Sequence, residues 1–436
     1  MESIWERGTE KPSFERLSGD ISTDVLIIGG GITGILCGYM LKGAGVDCVI
    51  AEAGEICGKV TKNTTAKVTY HHGAVFDKMI RRFGIEKAGL YIKAQKESLE
   101  AYKALSKKID CDFEERTSYV YSLTDREKIE KEVNALNRLG VPASFTQSTE
   151  LPFSVAGAVS VAGQAQFNPL KFVYALAKGQ KIFEHTEITD LTPQGAVTAR
   201  GSIKAKRIIV ATHFPFLNRH GLYFLKMYQH RSYVLALENT PHIDGMYVDA
   251  SDKGLSFREY GGTLLLGGGG HRTGKQGGGW QELSNFAQKH YPDAREGCRF
   301  ATQDCKTLDD IAYIGKYSKH TPTLYAATGY NKWGMTSSMT AARILSDLVR
   351  EKENEYSALF SPSRSIIREQ LFINAAESAL GLITPTAPRC THLGCALKYN
   401  RQEHSWDCSC HGSRFDEDGK VLDNPARKCI KPKKHK

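Results

Sequence analysis

The chain has 436 residues, of which 41% are hydrophobic and 24% are charged, and its mean hydropathy is −0.36. These values are typical of a folded globular protein and exclude a single small binding module, a disordered chain and a membrane-embedded protein. The net charge of +10 is dispersed except for four lysines between positions 431 and 436, which we interpret as a solvated tail rather than a nucleic-acid-binding patch.

The first predicted elements form a β-α-β unit. Residues 25–28 have the continuous apolar character of a buried strand, residues 32–42 that of an apolar helix, and residues 48–51 that of a second strand. Such a unit opens a doubly wound parallel sheet. Gly29, Gly30, Gly31 and Gly34 are among the glycines that interrupt the apolar stretch 24–41, which is therefore too short for a membrane span. We expect a cytoplasmic protein without an export signal.

Further along the chain, predicted helices and strands alternate. The capping box that begins at Thr124 and the pair Asn168 and Pro169 each mark the start of a helix. Residues 351–389 are polar and weakly helical, and we interpret them as a connector. The predicted helices cover 75–108, 124–140, 168–179 and 335–350, and the predicted strands cover 117–123, 181–191, 196–212, 232–238, 262–267 and 323–328.

A glycine-rich fingerprint lies between the first strand and the first helix. Gly29, Gly31 and Gly34 satisfy the G-x-G-x-x-G pattern, and Glu52 follows the second strand. The glycines allow the tight turn, the approach of a pyrophosphate and close helix–strand packing, while Glu52 would accept hydrogen bonds from a ribose. We predict a dinucleotide site here, and the fingerprint alone leaves FAD and NAD open. The glycine clusters at 267–270 and 277–279 lead into no helical pattern, which argues against a second such site.

The order of the later segments resembles the D-amino-acid-oxidase-like family of FAD-dependent oxidoreductases, which have the glutathione-reductase-type FAD fold. The threonine-rich stretch 61–69 and residues 211–212 and 325–336 carry this resemblance, which covers about residues 3 to 350. It implies FAD as cofactor, with a helix N-terminus near the reduced flavin ring. The residues that it implies for FAD binding are Gly29, Gly31, Thr33, Gly34, Glu52, Thr64, Thr65, Ala66, Lys67, Gly329, Gly334, Met335 and Thr336.

Five of the eleven cysteines lie after residue 389, where they form the patterns C-x-H-x-G-C and C-x-C-H-G-S. Each pattern offers one thiolate and one imidazole, Cys390 with His392 and Cys408 with His411. Two cysteines on one iron and two histidines on the other are the ligands of a Rieske [2Fe–2S] cluster. A structural zinc site of the Cys₂His₂ type uses the same ligands and is the alternative.

Resemblance to Rieske proteins favours the cluster. Cys395 and Cys410 occupy the positions where those proteins carry a disulfide between the two cluster loops, which implies a bridge. Ser413 is expected to hydrogen-bond a cluster sulfur, and Pro425 matches the loop that covers the cluster. Phe415 stands where high-potential respiratory members carry a tyrosine, so the resemblance implies a lower potential here.

The predicted fold class is α/β, with a Rossmann-like FAD-binding domain, an interleaved α+β substrate domain and a small all-β Rieske module at the C-terminus. The predicted division assigns 1–84, 150–216 and 315–352 to the FAD-binding domain, 85–149 and 217–314 to the substrate domain, 353–384 to a linker and 385–436 to the Rieske module.

These features predict an FAD-dependent oxidoreductase with an iron–sulfur cluster, and they resemble a bacterial group with this domain pair. We expect oxidation of a small organic substrate at the flavin and single-electron transfer through the cluster to an external carrier, such as a ferredoxin-like protein or a quinone, or the reverse flow. The resembled oxidases suggest an amine or amino acid as substrate, and Arg231 is the first choice to pair its carboxylate. The candidate catalytic residues are Arg231, Tyr233, His271 and Tyr330.

Two other function classes were compared with this prediction. A Rieske oxygenase needs a mononuclear iron held by two histidines and a carboxylate, and the corresponding D-x-x-H-x4-H spacing is missing from the sequence. A non-catalytic redox sensor or electron-transfer adaptor would carry the same two cofactors and is the alternative. We expect neither a nucleic-acid partner nor a transmembrane segment.

Overall fold

The computed structural model describes residues 3–217, 220–365, 367–385 and 388–431. The strands are β1 (Ile21–Ile28), β2 (Cys48–Ala51), β3 (Lys67–Val68), β4 (Glu114–Ser122), β5 (Ala143–Thr146), β6 (Gly157–Gln166), β7 (Ile182–Phe183), β8 (Ile188–Thr192), β9 (Gly195–Thr198), β10 (Gly201–Val210), β11 (Met227–Glu238), β12 (Met246–Asp249), β13 (Ser256–Tyr260), β14 (Thr263–Arg272), β15 (Arg295–Thr307), β16 (Tyr313–Lys316), β17 (Leu324–Thr328), β18 (Leu397–Asn400), β19 (Ser405–Cys408), β20 (Arg414–Asp416) and β21 (Val421–Asp423). The helices are α1 (Ile32–Gly43), α2 (Phe76–Phe83), α3 (Ile85–Ser106), α4 (Arg126–Arg138), α5 (Pro169–Ala177), α6 (Tyr223–Lys226), α7 (Gly279–His290), α8 (Gly334–Val349), α9 (Ser357–Phe360) and α10 (Glu369–Ile383), and a 3₁₀ turn covers Ile4–Glu6.

The first sheet has eight strands in the order β16-β17-β10-β1-β2-β7, with the β8–β9 hairpin joined to β10. Its central strands β17, β10, β1, β2 and β7 are parallel. In β1, Val25 and Ile27 enter one hydrophobic core and Leu26 and Ile28 enter another. Both faces of the strand are therefore covered, which explains why its sequence is continuously apolar rather than alternating.

The second sheet has nine strands in the order β15-β11-β14-β13-β12-β4-β6-β3, with β5 paired to β6. It takes in β3 and β6, which the predicted division placed with the FAD-binding domain. The reason is that β6 pairs with β4 over almost its full length, from Gly157 to Gln166. The chain therefore passes between the two sheets more often than the predicted domain boundaries suggest.

The C-terminal part forms a separate antiparallel sheet in the order β18-β19-β20-β21. Its core contains Leu397, Trp406, Phe415 and Ile430, all of which are buried. Helix α10 lies within the predicted linker and packs against α6. None of the helices in the described residues is long and apolar enough to cross a membrane. The predicted fold class, an α/β oxidase fold with a small all-β module, is confirmed.

Local signals misplaced the start of one helix and missed another helix. The N-cap of α4 is Asp125, whose carboxylate accepts the Lys128 N–H at 2.9 Å, and Thr124 precedes it. The glycine cluster at 277–279 does lead into a helix, because α7 begins at Gly279. Its sequence has few strongly apolar residues, and burial of Trp280 and Leu283 against β14 supplies the stabilisation that helix periodicity did not reveal.

A buried carboxyl group on α4 makes stability depend on pH. Glu132 accepts the N–H groups of Phe76 and Asp77 at 2.7 and 3.0 Å, and burial raises its pKa from 4.5 to about 7. The folded state therefore favours the protonated form, so this stabilisation is complete below about pH 4.5 and is lost as the pH rises through about 7. We expect about 3 kcal/mol of the free energy of unfolding to disappear between pH 5 and pH 8.

Urea denaturation of Glu132→Gln at both pH values checks this expectation. Glutamine resembles the protonated carboxyl, so the variant should show a flatter dependence on pH than the wild-type protein. The control Glu127→Gln changes an exposed residue of the same helix and should keep the wild-type slope. An unchanged slope in Glu132→Gln would contradict the assignment.

Candidate functional site

The turn between β1 and α1 leaves no room for side chains. A Cβ at Gly34 would overlap the Gly29 carbonyl oxygen, and a Cβ at Gly29 would lie 2.6 Å from the carbonyl oxygen of Ala211. Gly29 also has a φ of +110°, which side chains disfavour. A Cβ at Gly31 would lie 3.3 Å from Thr61 Oγ1. The backbone itself therefore forms the wall at the N-terminus of α1, as close approach of a pyrophosphate requires.

Glu52 is held at the end of β2 by two backbone groups. Its Oε2 accepts the Gly30 N–H at 2.7 Å, and its Oε1 accepts the Gly54 N–H at 2.8 Å. These bonds fix the carboxylate beside the glycine turn, where it lines the same cavity. A carboxylate fixed in this way suits the role predicted for it, acceptance of hydrogen bonds from a ribose.

A cavity of about 670 Å³ runs along the glycine turn, β2 and the N-terminus of α8. This volume lies within the usual range for cofactor sites. Three residues predicted for FAD binding, Gly34, Ala66 and Thr336, lie outside its lining, and Thr336 instead donates to the Thr69 carbonyl at 3.0 Å. The predicted cofactor residues that do line it are Gly29, Gly31, Thr33, Glu52, Thr64, Thr65, Lys67, Gly329, Gly334 and Met335.

Side chains in the turn before α8 contact α1 and His72 at the cavity. The Tyr330 hydroxyl lies 3.0 Å from Thr33 Oγ1, so this predicted catalytic residue is linked to the start of α1. His72 stacks on Trp333 with ring centroids 4.9 Å apart.

Burial, together with the nearby Arg258 guanidinium, lowers the pKa of Lys67 to about 7. Lys67 therefore titrates near neutral pH at the cavity wall.

A cluster of charged side chains lines the cavity without having been predicted. Lys306 Nζ lies 2.6 Å from Asp252 Oδ1, and Asp304 and Lys332 line the same wall. Desolvation raises the pKa of Asp304, and desolvation together with the nearby Lys306 charge lowers the pKa of Lys332, an exposed residue of the cavity lining. These residues come from β15, the loop after β12 and the turn after β17, so no spacing in the sequence connects them.

Arg231 and Tyr233 both contact the C-terminal module, and of the two Tyr233 also lines the cavity. Arg231 Nε donates to Glu403 Oε1 at 3.0 Å, and the Tyr233 hydroxyl donates to the same oxygen at 2.8 Å. Arg414 Nη2 lies 2.8 Å from Glu403 Oε2. Because the buried Arg231 guanidinium already holds a carboxylate of its own chain, this geometry does not support the predicted pairing with a substrate carboxylate.

His271 occupies a similar position beside the same strands. Its ring stacks on Tyr233 with centroids 5.6 Å apart, and Tyr233 lines the cavity whereas His271 and Arg231 do not. Burial lowers the pKa of His271 below its ordinary value, which favours the neutral imidazole. Of the four predicted catalytic residues, Tyr233 and Tyr330 therefore remain at the cavity.

The four predicted cluster ligands lie together at the tips of two loops. The rings of His392 and His411 are perpendicular, with centroids 5.0 Å apart. Hydrogen bonding with Cys408 holds the pKa of Cys390 below its ordinary value, and Ser413 contributes a further hydrogen bond to this thiol. Both ring nitrogens of His411 are buried without a hydrogen-bond partner among the described residues. Unpaired buried imidazole nitrogens are costly unless they bind a ligand, so these residues fit a metal centre.

A disulfide joins the two loops between Cys395 and Cys410, whose Cα atoms are 6.7 Å apart. The sulfurs of both lie within 4.8 Å of Cys408 Sγ, but disulfide sulfurs are not available as thiolate ligands. Ser413 Oγ accepts the Ala426 N–H at 3.0 Å, which fixes the third loop, containing Pro425, over the second. The donor set left for a cluster is therefore two thiols and two imidazoles.

Two glutamines anchor the cluster loops to the second sheet. Gln229 Nε2 donates to the carbonyls of His411 and Asn424, both at 2.9 Å. Gln303 Nε2 donates to the Gly412 carbonyl at 2.8 Å and to Gln229 Oε1 at 2.7 Å. Both glutamines are buried. Sequence reasoning missed them, because neither glutamine lies in a predicted strand and both are far in sequence from the cluster loops.

The glycine turn supports a direct test of cofactor binding. We expect Gly34→Ala to weaken FAD retention more than about tenfold, because the added methyl group must push α1 away from the turn. The control Gly43→Ala lies in the same helix with open space around it and should retain FAD. The ratio of flavin to protein absorbance after desalting measures the effect. Equal retention in both variants would contradict the assignment.

Comparisons with known proteins agree with this geometry. The family model described as FAD dependent oxidoreductase matches residues 24–348, and the model of the Rieske [2Fe-2S] domain matches residues 353–433. YhfW of Bacillus subtilis (strain 168), whose name places it among Rieske 2Fe-2S iron-sulfur proteins, is 34% identical over 99% of this chain and 97% of its own length.

Solved structures share the fold of the larger part. Glycine oxidase from Geobacillus kaustophilus superposes with a TM-score of 0.67 at 20% identity, covering 79% of this chain and 99% of its own. L-Proline dehydrogenase from P. horikoshii superposes with a TM-score of 0.66 at 17% identity, covering 80% and 98%. The predictions of an oxidoreductase with FAD and a [2Fe–2S] cluster are confirmed. The chain therefore belongs to the family of FAD-dependent oxidoreductases and carries a C-terminal Rieske [2Fe-2S] domain.

Proposed function

We propose that this enzyme oxidises a small amine or amino acid at the flavin and passes the electrons singly through the cluster to an external carrier. FAD accepts two electrons from an organic substrate and releases them one at a time, and a Rieske cluster carries one. The residues suited to hold FAD are those of the glycine turn and the N-terminus of α8, and those suited to hold the cluster are Cys390, His392, Cys408 and His411.

One observation carries the proposed transfer between the two centres. Along β15, Gln303 faces the cluster loop through its bond to the Gly412 carbonyl, while its neighbours Thr302 and Asp304 line the FAD cavity. Successive side chains of a strand point to opposite faces. At this position a single layer of sheet separates the cavity from the Gly412 loop, and Asn424 and Ala426 of the third loop line the cavity directly, which supports transfer inside one chain.

The attachment of the Rieske domain supports the same proposal. The contacts of Gln229, Gln303 and Arg231 with this domain are buried, and the Asn424 amide donates to the carbonyls of Thr212 and Phe214, both at 2.9 Å. Buried polar contacts of this kind hold two domains in one orientation because each broken bond leaves an unsatisfied group. Transfer is thus proposed to proceed without domain movement.

The charged wall of the cavity supports a zwitterionic substrate. Lys332 offers a cation for a carboxylate and Asp304 offers an anion for an amine, whereas Lys306 is already paired with Asp252. The structural neighbours are an oxidase and a dehydrogenase whose names refer to glycine and L-proline. An amino acid or a related amine is therefore the substrate class that we propose.

Anaerobic mixing with a panel of amino acids and amines tests this function. We expect one class to bleach the flavin absorbance, followed by the appearance of the reduced cluster signal. With that substrate, Lys332→Met should raise KM about tenfold to a hundredfold with a small change in kcat, since one charge-assisted bond is lost. The control Lys319→Met changes an exposed lysine and should leave KM unchanged. Failure of every substrate to reduce the flavin would favour the redox-sensor alternative.

A further inference from the structure

The outward face of α10 is apolar, which reverses the usual pattern of a surface helix. In the described part of the chain, seven of the twelve large apolar side chains that are exposed lie between residues 367 and 393. The small residues between them, Ala375, Ala376 and Ala379, are also exposed. We call the following side chains the apolar face, with exposed fractions from 40% for Leu393 to 74% for Ile383: Phe372, Ile373, Leu380, Leu382, Ile383 and Leu393.

The polar side of α10 faces inward and fixes the orientation of the helix. Asn374 is buried and accepts a hydrogen bond from Arg272 Nη1 at 3.0 Å, and Glu377 pairs with Lys275 at 2.7 Å. The Gly381 carbonyl accepts the Ala396 N–H at 2.8 Å, and a Cβ at Gly381 would lie 2.5 Å from Cys410 Sγ. The helix therefore cannot rotate the apolar face inward without breaking buried polar contacts.

The apolar face adjoins the cluster loop and lies among basic residues. Gly394 packs near Leu382, and Leu393 follows the predicted ligand His392 directly. Arg389 lies beside this face, because its Nη1 donates to the carbonyls of Leu382 at 3.1 Å and Gly394 at 2.7 Å. The exposed residues Lys428 and Lys431 add to this charge, because the Lys428 carbonyl accepts the Thr391 hydroxyl at 2.5 Å.

We propose that this face binds the surface of an anionic phospholipid bilayer as a peripheral contact. Protruding aliphatic side chains enter the boundary between headgroups and acyl chains without needing a complementary pocket, and basic residues around them attract anionic headgroups. A second copy of the chain is a poorer occupant, because a two-fold contact brings the same basic residues of both copies together. The proposal goes beyond the proposed function and depends on neither the substrate nor the direction of electron flow.

Flotation of the holoenzyme with vesicles tests the proposal. We expect the wild-type protein to float with vesicles of phosphatidylcholine and phosphatidylglycerol at 3:1, and about tenfold less with phosphatidylcholine alone or at high salt. Phe372→Ser with Ile383→Ser should lower binding at least about tenfold while the flavin and cluster spectra stay unchanged. The matched control Leu123→Ser removes a side chain that is 53% exposed outside this face and should bind like the wild type.

Two further measurements separate the possible occupants. Lys428→Gln with Lys431→Gln should weaken binding to the anionic vesicles only, whereas Lys319→Gln should not. Sedimentation velocity should show no change in association state between the wild type and the Phe372 and Ile383 double variant. The proposal is overturned if the wild type does not float, if the double variant floats equally well, or if that variant splits a wild-type dimer or releases a bound protein.

Discussion

Glu403→Gln should detach the Rieske domain from the oxidase domain at a cost of about 3 to 5 kcal/mol. The carboxylate is buried between Arg231 and Arg414, whose side chains are 5% and 6% exposed. Burial opposes its ionisation, but the two guanidinium groups hold the pKa of Glu403 below its ordinary value. Replacing it with a neutral amide leaves the Arg231 charge buried without a counter-ion, and such an unpaired charge is strongly destabilising.

Urea denaturation that follows cluster and flavin absorbance separately measures this effect. In Glu403→Gln the cluster signal should be lost at lower urea than the flavin signal, and limited proteolysis should cut between the two domains. The control Glu417→Gln alters an exposed residue of the same domain, paired with His404, and should behave like the wild type. Coincident wild-type transitions in Glu403→Gln would contradict the role assigned to this residue.

The same ion pairs imply a defined response to acid. Because the folded pKa of Glu403 is lowered, its stabilisation is present above the ordinary pKa of 4.5 and is lost as the pH falls through the folded value.

A double variant, Glu403→Gln with Arg231→Met, should recover part of the stability that Glu403→Gln loses, because it removes the unpaired charge. The coupling energy between the two substitutions, obtained from the double-mutant cycle, separates the Arg231–Glu403 interaction from the other effects of replacing Glu403.

His411→Ala should remove the iron–sulfur cluster and leave FAD bound. The imidazole is one of two predicted for the same iron, and both of its nitrogens lack another partner among the described residues. The iron content should fall from about two atoms per chain to a small remaining fraction, because a [2Fe–2S] cluster loses stability without one of its four ligands. The FAD-binding residues lie on other elements, so the ratio of flavin to protein should not change.

Iron and acid-labile sulfide analysis, with electron paramagnetic resonance of the reduced protein, measures this result. The control His404→Ala removes an exposed imidazole of the same domain and should keep the full cluster. Retention of iron and sulfide in His411→Ala would contradict the ligand assignment. Zinc without sulfide in the wild-type protein would contradict the cluster itself.

Short-range patterns were sufficient to predict the binding segments of both cofactors. The turn at Gly29 and the two loops at Cys390 and Cys408 each lie within a few consecutive residues, where the chemistry depends on residue types at fixed spacing. The β-α-β unit was equally clear, because β1, α1 and β2 are adjacent in the chain and buried on both sides. Such features can be predicted because their contacts are local.

The sequence by itself determined the fold class, the family and the two cofactors, since these depend on motifs of adjacent residues. Only the tertiary structure decided which long-range partners meet. It paired Arg231 with Glu403, 172 positions away, and brought Lys306 beside the turn that contains Lys332. It also turned the apolar side of α10 outward. Residue type does not reveal such pairings, because an arginine on a strand binds a substrate or an internal carboxylate according to which group the fold brings to it.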